Sequence, residues 1–152
     1  MKLVFLLDEN IIVSAAKLQD DRGNSDPTAL RLAFRIAEKC HRIAVHWTIW
    51  EPCIKKLAAI DTRQYLVSQA VSFLRDFVWN ADKIDQQLDP LPEIPPGVTV
   101  PRKDHHIVRC ALSAKARIVT TDGALRHAIE ACPALGLTAL SPAEALALAA
   151  SV

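Results

Sequence analysis

The feature that most constrains the fold is an apolar run near the N terminus that ends abruptly at an acid. Residues 3–7, LVFLL, are all apolar and are followed by Asp8. A run this short and this apolar is typical of a strand buried on both faces of a parallel sheet. The residues that follow are apolar at helical spacing, so the chain passes from strand to helix at Asp8. In open parallel sheets, ligands bind at this carboxyl edge of the strands.

The rest of the chain alternates between strand-like and helix-like patterns. Further strands are predicted at 42–47, 83–85, 117–122 and 136–140, and helices at 27–40, 48–57, 62–77, 104–116, 123–131 and 141–149. The remainder of the proline-rich segment 80–103 is predicted to be a loop. Strands separated by helices predict an α/β fold with a central, mostly parallel sheet of four or five strands, covered by helices on both faces. A length of 152 residues fits one domain, residues 1–152.

Composition and charge exclude several functional classes. The formal net charge is +1 and the pI is about 7.7, which excludes the uniformly basic surface of a histone-like nucleic-acid binder. The four cysteines include no C-x-x-C pair, and the sequence shows neither a secretory signal nor a membrane-spanning apolar run. We therefore expect reduced thiols and a cytoplasmic location.

Four acids are predicted to meet at the carboxyl edge of the sheet. Asp8 and Asp122 end predicted strands, Glu51 lies in the first turn after the second strand, and Asp104 opens the helix that leads to the Asp122 strand. Carboxylates crowded at one edge repel each other, and a bound cation or raised pKa values relieve that repulsion. An all-oxygen site favours a hard ion such as Mg²⁺.

Each of these acids also has a purely structural interpretation. Asp8, Asp104 and Asp122 each precede a predicted helix, where Asp is a favoured N-cap residue. Glu51 has capping-box spacing from Thr48 in the stretch T-I-W-E. Convergence at one edge favours a site, because four separate caps need not meet in space.

Two segments of the chain resemble PIN-domain nucleases. The opening LLDENIIVSA, with Asn10 two residues after Asp8, is similar to the first strand and helix of that family. The stretch KDHHIVRCALSAKARIVTTD, followed by LTALSPAEAL, is similar to its C-terminal half. The resemblance implies a three-layer α/β/α sandwich.

The same resemblance implies an activity and a site. The activity is Mg²⁺- or Mn²⁺-dependent endoribonuclease cleavage, which is hydrolysis of RNA phosphodiester bonds. The implied catalytic acids are Asp8, Glu51, Asp104 and Asp122, with Asp8, Asp104 and Asp122 on the metal and with Asn10 and Thr120 as supporting polar groups. Many small members of the family are VapC-like toxins that pair with an antitoxin protein, and many are homodimers.

A run of cations beside the predicted acids is the predicted RNA contact. Residues 102–126 contain six Lys or Arg residues against two Asp residues. Arg102, Lys103, Arg109 and Arg126 are the candidates, since a local excess of cations suits a nuclease that reads the phosphate backbone.

Two other functional classes are weighed against a nuclease. A response-regulator receiver also places acids at this edge, but it needs a lysine at the end of the fifth strand, and no lysine follows Lys115. The second class is a non-catalytic PIN-like module that binds RNA or a protein partner. The two are discriminated by whether Asp8, Glu51, Asp104 and Asp122 come within coordination distance of one ion. A Glu51 that points away from the other acids and binds the Thr48 backbone favours the module.

Overall fold

The computed structural model describes residues 1–152 as one α/β unit with five strands and seven α-helices. The strands are β1 (Val4–Leu7), β2 (Arg42–Val45), β3 (Ile84–Gln86), β4 (Arg117–Val119) and β5 (Ala139–Leu140). The helices are α1 (Glu9–Lys17), α2 (Thr28–Glu38), α3 (Trp47–Ala58), α4 (Tyr65–Trp79), α5 (His105–Ala114), α6 (Gly123–Glu130) and α7 (Pro142–Ser151), with short 3₁₀ turns at Arg102–Asp104 and Pro133–Leu135. None of the seven helices combines the length and the apolar character needed to cross a membrane.

The five strands form one sheet in the order β3-β2-β1-β4-β5, and every neighbouring pair is parallel. The predicted parallel sheet is confirmed, with the first strand at its centre. The chain builds outward from β1 to β2 and β3, and then returns to the other side of β1 to add β4 and β5. The direction of growth therefore reverses between β1 and β4, and a crevice opens at the carboxyl ends of such a strand pair.

Helices cover the sheet on both faces, as a three-layer α/β/α sandwich requires. Phe5 and Leu7 belong to a core shared with α1, α2, α4 and α7. Leu6, between them, belongs to a second core shared with α5 and α6. This alternation follows from strand geometry, in which successive side chains point to opposite faces. It explains why the uninterrupted apolar run LVFLL is needed at the centre of the sheet.

Several predicted boundaries differ from the observed ones. β3 begins at Ile84, one residue later than predicted, and α2 ends at Glu38 rather than at residue 40. The Lys83 ammonium donates to the backbone carbonyls of Ile36 and Lys39, so the residue just before β3 satisfies the C-terminal end of α2. Such a long-range contact leaves no local pattern in the sequence.

The predicted start of α3 at Thr48 is wrong. The helix begins at Trp47, and its N-cap is His46, whose Nδ1 accepts from the Thr48 backbone N–H at 3.4 Å. His46 is buried, and its Nε2 lies 2.9 Å from Oδ1 of Asp89 in the proline-rich loop. Because His46 occupies the capping position, the capping box predicted between Thr48 and Glu51 does not form.

Candidate functional site

A small acidic cleft opens at the carboxyl edge of the sheet, where β1 and β4 lie side by side. Its volume is about 170 Å³. The residues that line this acidic cleft are Asp8, Glu9, Asn10, Ile49, Lys103, Asp104, His106, Ile107 and Asp122. Three of the four predicted catalytic acids are therefore brought to one place, at the reversal point of the sheet.

Asp8 is held rigidly at the end of β1. Its backbone N–H donates to the Val119 carbonyl at 3.1 Å, which joins the ends of β1 and β4. Its side chain is buried, and Oδ2 accepts from the Thr120 hydroxyl at 3.1 Å. Burial raises the pKa of the Asp8 carboxyl, and the Thr120 hydrogen bond opposes that rise only in part. Asp8 occupies the N-cap position of α1 without a side-chain capping bond, so the capping interpretation is wrong for this residue.

Asp104 enters the cleft from the 3₁₀ turn that precedes α5. Only 6% of the residue is exposed, and its Oδ2 is a buried oxygen with no hydrogen-bond partner. Burial raises the pKa of this carboxyl, and the negative charges of Asp122 and Asp8 raise it further. Asp104 precedes α5 but its side chain makes no capping bond, so the capping interpretation fails here too. A buried carboxylate oxygen without a partner is costly, and the cost needs a compensating group.

Asp122 has a different environment. Its Oδ1 accepts from the backbone N–H groups of Ala124 and Leu125 at 2.9 and 3.2 Å, so it caps α6 as its structural interpretation predicts. Its Oδ2 accepts from the Lys103 ammonium at 3.1 Å. These contacts, the Leu125 N–H first and Lys103 next, hold the pKa of the Asp122 carboxyl below its usual range. Asp122 is therefore the carboxylate of the cleft that is stabilised in its charged form.

One hydroxyl connects Asp8 and Asp122. Thr120 is buried, and its Oγ1 donates to Asp8 and accepts from the Asp122 backbone N–H at 3.0 Å. This bridge fixes the ends of β1 and β4 relative to one another. Asn10, the other predicted supporting residue, lines the cleft but its side chain makes no hydrogen bond.

The donor set of the cleft suits a hard cation. Asp8 and Asp104 are buried carboxylates whose pKa values are raised chiefly by burial. Mg²⁺ binds through one or two carboxylates and keeps several waters, so two such groups are sufficient donors. In the observed side-chain arrangement, no group of three or more His, Cys, Asp or Glu side chains has the spacing of a metal site. Lys103, the cation closest to Asp122, is itself stabilised there, because the hydrogen bond to Asp122 raises its pKa.

Glu51, the fourth predicted acid, is not brought to the cleft. It is exposed on α3, and its carboxylate pairs with Lys55 at 3.1 Å. Ile49 lines the cleft, and a residue two positions further along a helix points about 200° away from it. The four predicted acids therefore do not meet at one point: Glu51 lies away from the other three, and it pairs with Lys55 and not with the Thr48 backbone.

The four predicted RNA-binding cations are scattered. Lys103 lies in the cleft, whereas Arg109 donates to the backbone carbonyls of Pro92 and Leu91 at 2.9 and 3.0 Å and so holds the proline-rich loop. Arg126 pairs with Glu130 of α6 and Glu144 of α7, and it does not line the cleft. Arg102 is exposed and forms no ion pair.

Four residues that line the cleft are absent from the predicted site: Glu9, Ile49, His106 and Ile107. His106 lies in the first turn of α5, two residues after Asp104, which is the only local signal for its place. Ile49 could not be predicted, because its position depends on where α3 begins.

No protein-family model matches this chain, and no curated protein shows significant sequence similarity to it. The function must therefore be argued from the residues of the cleft and from the resemblance to PIN-domain nucleases.

Proposed function

We propose that this protein is a Mg²⁺- or Mn²⁺-dependent endoribonuclease whose active site is the acidic cleft. The observation that carries the proposal is the buried Asp104 oxygen without a partner, in the same cleft as the buried Asp8 carboxylate. Two buried acids with raised pKa values at a sheet-reversal crevice are typical of a functional site rather than of a structural one.

Asp8 and Asp104 are the residues that would hold the ion, with Asp122 beside them. Oxygen donors and the lack of a neighbouring thiolate favour Mg²⁺ or Mn²⁺ over Zn²⁺. Thr120 would keep the Asp8 carboxylate oriented, as hydrogen-bonded neighbours of metal ligands commonly do.

The reaction would be attack of water on a phosphodiester phosphorus, with cleavage of the bond to the leaving oxygen. A bound divalent ion would favour deprotonation of the attacking water and offset charge on the phosphate oxygens. Asp122, held ionised by the N–H groups of α6 and by Lys103, would add negative charge beside the ion, and the proton of the attacking water would pass to solvent. The Lys103 ammonium can contact a phosphate oxygen, because its side chain is 70% exposed.

RNA as the substrate is supported by the resemblance to PIN-domain nucleases, not by a feature of the cleft. The same resemblance supports a cytoplasmic toxin of a toxin–antitoxin pair, acting as a homodimer and inhibited by an antitoxin protein. The fold of the chain is compatible with this role but does not select it.

The test is cleavage of a structured RNA by purified protein in the presence of Mg²⁺ or Mn²⁺. We expect Asp104→Asn and Asp8→Asn each to lower the cleavage rate by about 100-fold or more, since loss of even an outer-shell residue commonly costs 10–100-fold. Chelation of the divalent ion should abolish cleavage by the wild-type protein.

Glu51→Gln is the matched control, because it also removes one carboxylate but lies outside the cleft. Its rate should equal that of the wild type. If Glu51→Gln is as damaging as Asp104→Asn, the acidic cleft is not the active site. If the wild type cleaves no RNA with either ion, the non-catalytic interaction module becomes the better account.

A further inference from the structure

The carboxylates of the acidic cleft fall into two groups, those that have a lysine partner and those that do not. A lysine near the end of α3 donates to Glu9 at 2.9 Å, and the Lys103 ammonium donates to Asp122 at 3.1 Å. Asp8 and Asp104 make no such ion pair: Asp8 accepts from a threonine hydroxyl, and Asp104 has an oxygen without a partner. The cleft therefore has two compensated carboxylates and two uncompensated ones.

The charge of the cleft matches one divalent cation. Its four carboxylates carry four negative charges when ionised, and the two ammonium groups bound to them carry two positive charges. One divalent ion on the buried Asp8 and Asp104 makes the cleft neutral. A second would leave an excess of two positive charges in a partly buried site, where uncompensated charge is costly. Protonation of His106, the remaining titratable group of the cleft, would only increase that excess.

Both oxygens of Asp122 already have donors. Oδ1 accepts from two backbone N–H groups at the start of α6, and Oδ2 accepts from Lys103. An ion at Asp122 would therefore have to displace the Lys103 ammonium. The room in the cleft also favours one ion, because about 170 Å³ corresponds to roughly six water molecules and Mg²⁺ keeps several waters of its own.

Lys103 can supply the positive charge that a second ion supplies in other nucleases. In two-ion sites, the ions lie roughly 3.5–4 Å apart and offset the charge on the attacking and the leaving oxygen. The Lys103 ammonium lies in the cleft, and Lys103 is the chain neighbour of Asp104. Its side chain is 70% exposed, so the ammonium can turn to a phosphate oxygen without breaking a buried contact.

We propose that the acidic cleft binds one divalent cation, on Asp8 and Asp104, and that the Lys103 ammonium takes the place of a second one at Asp122. This stoichiometry rests on the proposed nuclease function and specifies how its cation site is filled. Lys103 acts on the phosphate by charge and hydrogen bonding alone, and it forms no covalent bond with the substrate.

The test is to count the Mn²⁺ ions bound per chain, by calorimetric titration and by electron paramagnetic resonance at saturating Mn²⁺. Two Mn²⁺ ions roughly 4 Å apart give a spin-coupled spectrum, whereas a single ion gives the spectrum of isolated Mn²⁺. We expect one isolated ion in the wild type. Lys103→Met frees Oδ2 of Asp122 and leaves a third carboxylate uncompensated, so we expect a second, weaker Mn²⁺ ion and a coupled spectrum in this variant.

Lys55→Met is the matched control. Lys55 also pairs with a carboxylate at 3.1 Å, and its side chain is 75% exposed, but it lies outside the cleft. This variant should bind one Mn²⁺ ion, as the wild type does. Lys103→Arg keeps a positive charge beside Asp122 and should also bind one ion.

Two Mn²⁺ ions in the wild type would overturn the proposed stoichiometry and leave the nuclease proposal intact. A single ion in Lys103→Met would overturn the role of Lys103, since its ammonium would then not be what excludes a second ion. Absence of Mn²⁺ binding by the wild type would instead remove the cation site of the proposed nuclease, and the stoichiometry with it.

Discussion

At the scale of single residues, the central feature is a pair of buried acids that the protein does not neutralise. Asp104 has one oxygen without a partner. The Asp8 carboxylate accepts a hydrogen bond from one side chain, the Thr120 hydroxyl. A sequence under pressure for stability alone would place Asn or an apolar residue here. Lys103 relieves this cost only in part: its charge lowers the pKa of the Asp104 carboxyl, but its hydrogen bond goes to Asp122.

The first prediction at this scale concerns stability without metal. Since the folded state raises the pKa of Asp104 above 3.8, it holds that proton more tightly than the unfolded state does. The contribution of Asp104 to the free energy of unfolding therefore decreases as the pH rises above 3.8. It is lowest at neutral pH, where the carboxyl is charged. Asp104→Asn removes this charge and should stabilise the protein at about pH 7 by about 1 kcal/mol, or roughly 2–4 °C in Tm.

Thermal unfolding followed by circular dichroism in chelator measures this effect. The gain from Asp104→Asn should shrink as the pH is lowered into the acidic range in which the wild-type carboxyl takes up its proton. Glu51→Gln, at an exposed site, should change stability by less than about 0.5 kcal/mol at either pH. An Asp104→Asn variant that is less stable than the wild type at neutral pH would contradict the account of Asp104.

At the scale of elements, most strands and helices could be predicted because their signals are local. The apolar run of β1, the T-T-D that follows β4 and the Ser-Pro start of α7 each lie within a few residues. The start of α3 was placed one residue late, because its N-cap is His46, which is not among the residue types favoured as N-caps. That single error also misplaced Glu51, since the position of a residue around a helix depends on where the helix begins.

The second prediction separates the structural and functional roles of Asp122 at the start of α6. Asp122→Ala should lower the free energy of unfolding by about 1 kcal/mol, because it removes the N-cap. Asp122→Asn should lower it by less than Asp122→Ala does, since Asn also caps helices and only the ion pair with Lys103 is lost. Both variants should lose RNA cleavage, because both remove the carboxylate.

Urea unfolding and the RNA cleavage assay together measure this separation. Ser141→Ala is the control, since Ser141 caps α7 outside the acidic cleft. It should cost about 1 kcal/mol and leave cleavage unchanged. Full cleavage by Asp122→Asn would show that Asp122 is only a helix cap.

At the scale of the whole molecule, the order of the strands assembles the site. Asp8 and Asp122 are 114 positions apart in the chain, yet the parallel pairing of β1 with β4 places the ends of their strands side by side. The sequence predicts each strand, but the pairing arises from packing of both faces of the sheet. To predict that Asp8 and Asp122 converge is therefore to predict which strands pair. The position of Asp104 depends instead on the turn that precedes α5.

The measurement that tests the central claim most directly is calorimetric titration of Mn²⁺ into the wild-type protein, the Asp8→Asn, Asp104→Asn double variant, and Glu51→Gln. The account predicts that the wild type and Glu51→Gln bind Mn²⁺ alike and that the double variant does not. A wild type that binds no Mn²⁺ at roughly millimolar concentration, or a double variant that binds as the wild type does, would contradict the claim that Asp8 and Asp104 form a cation site.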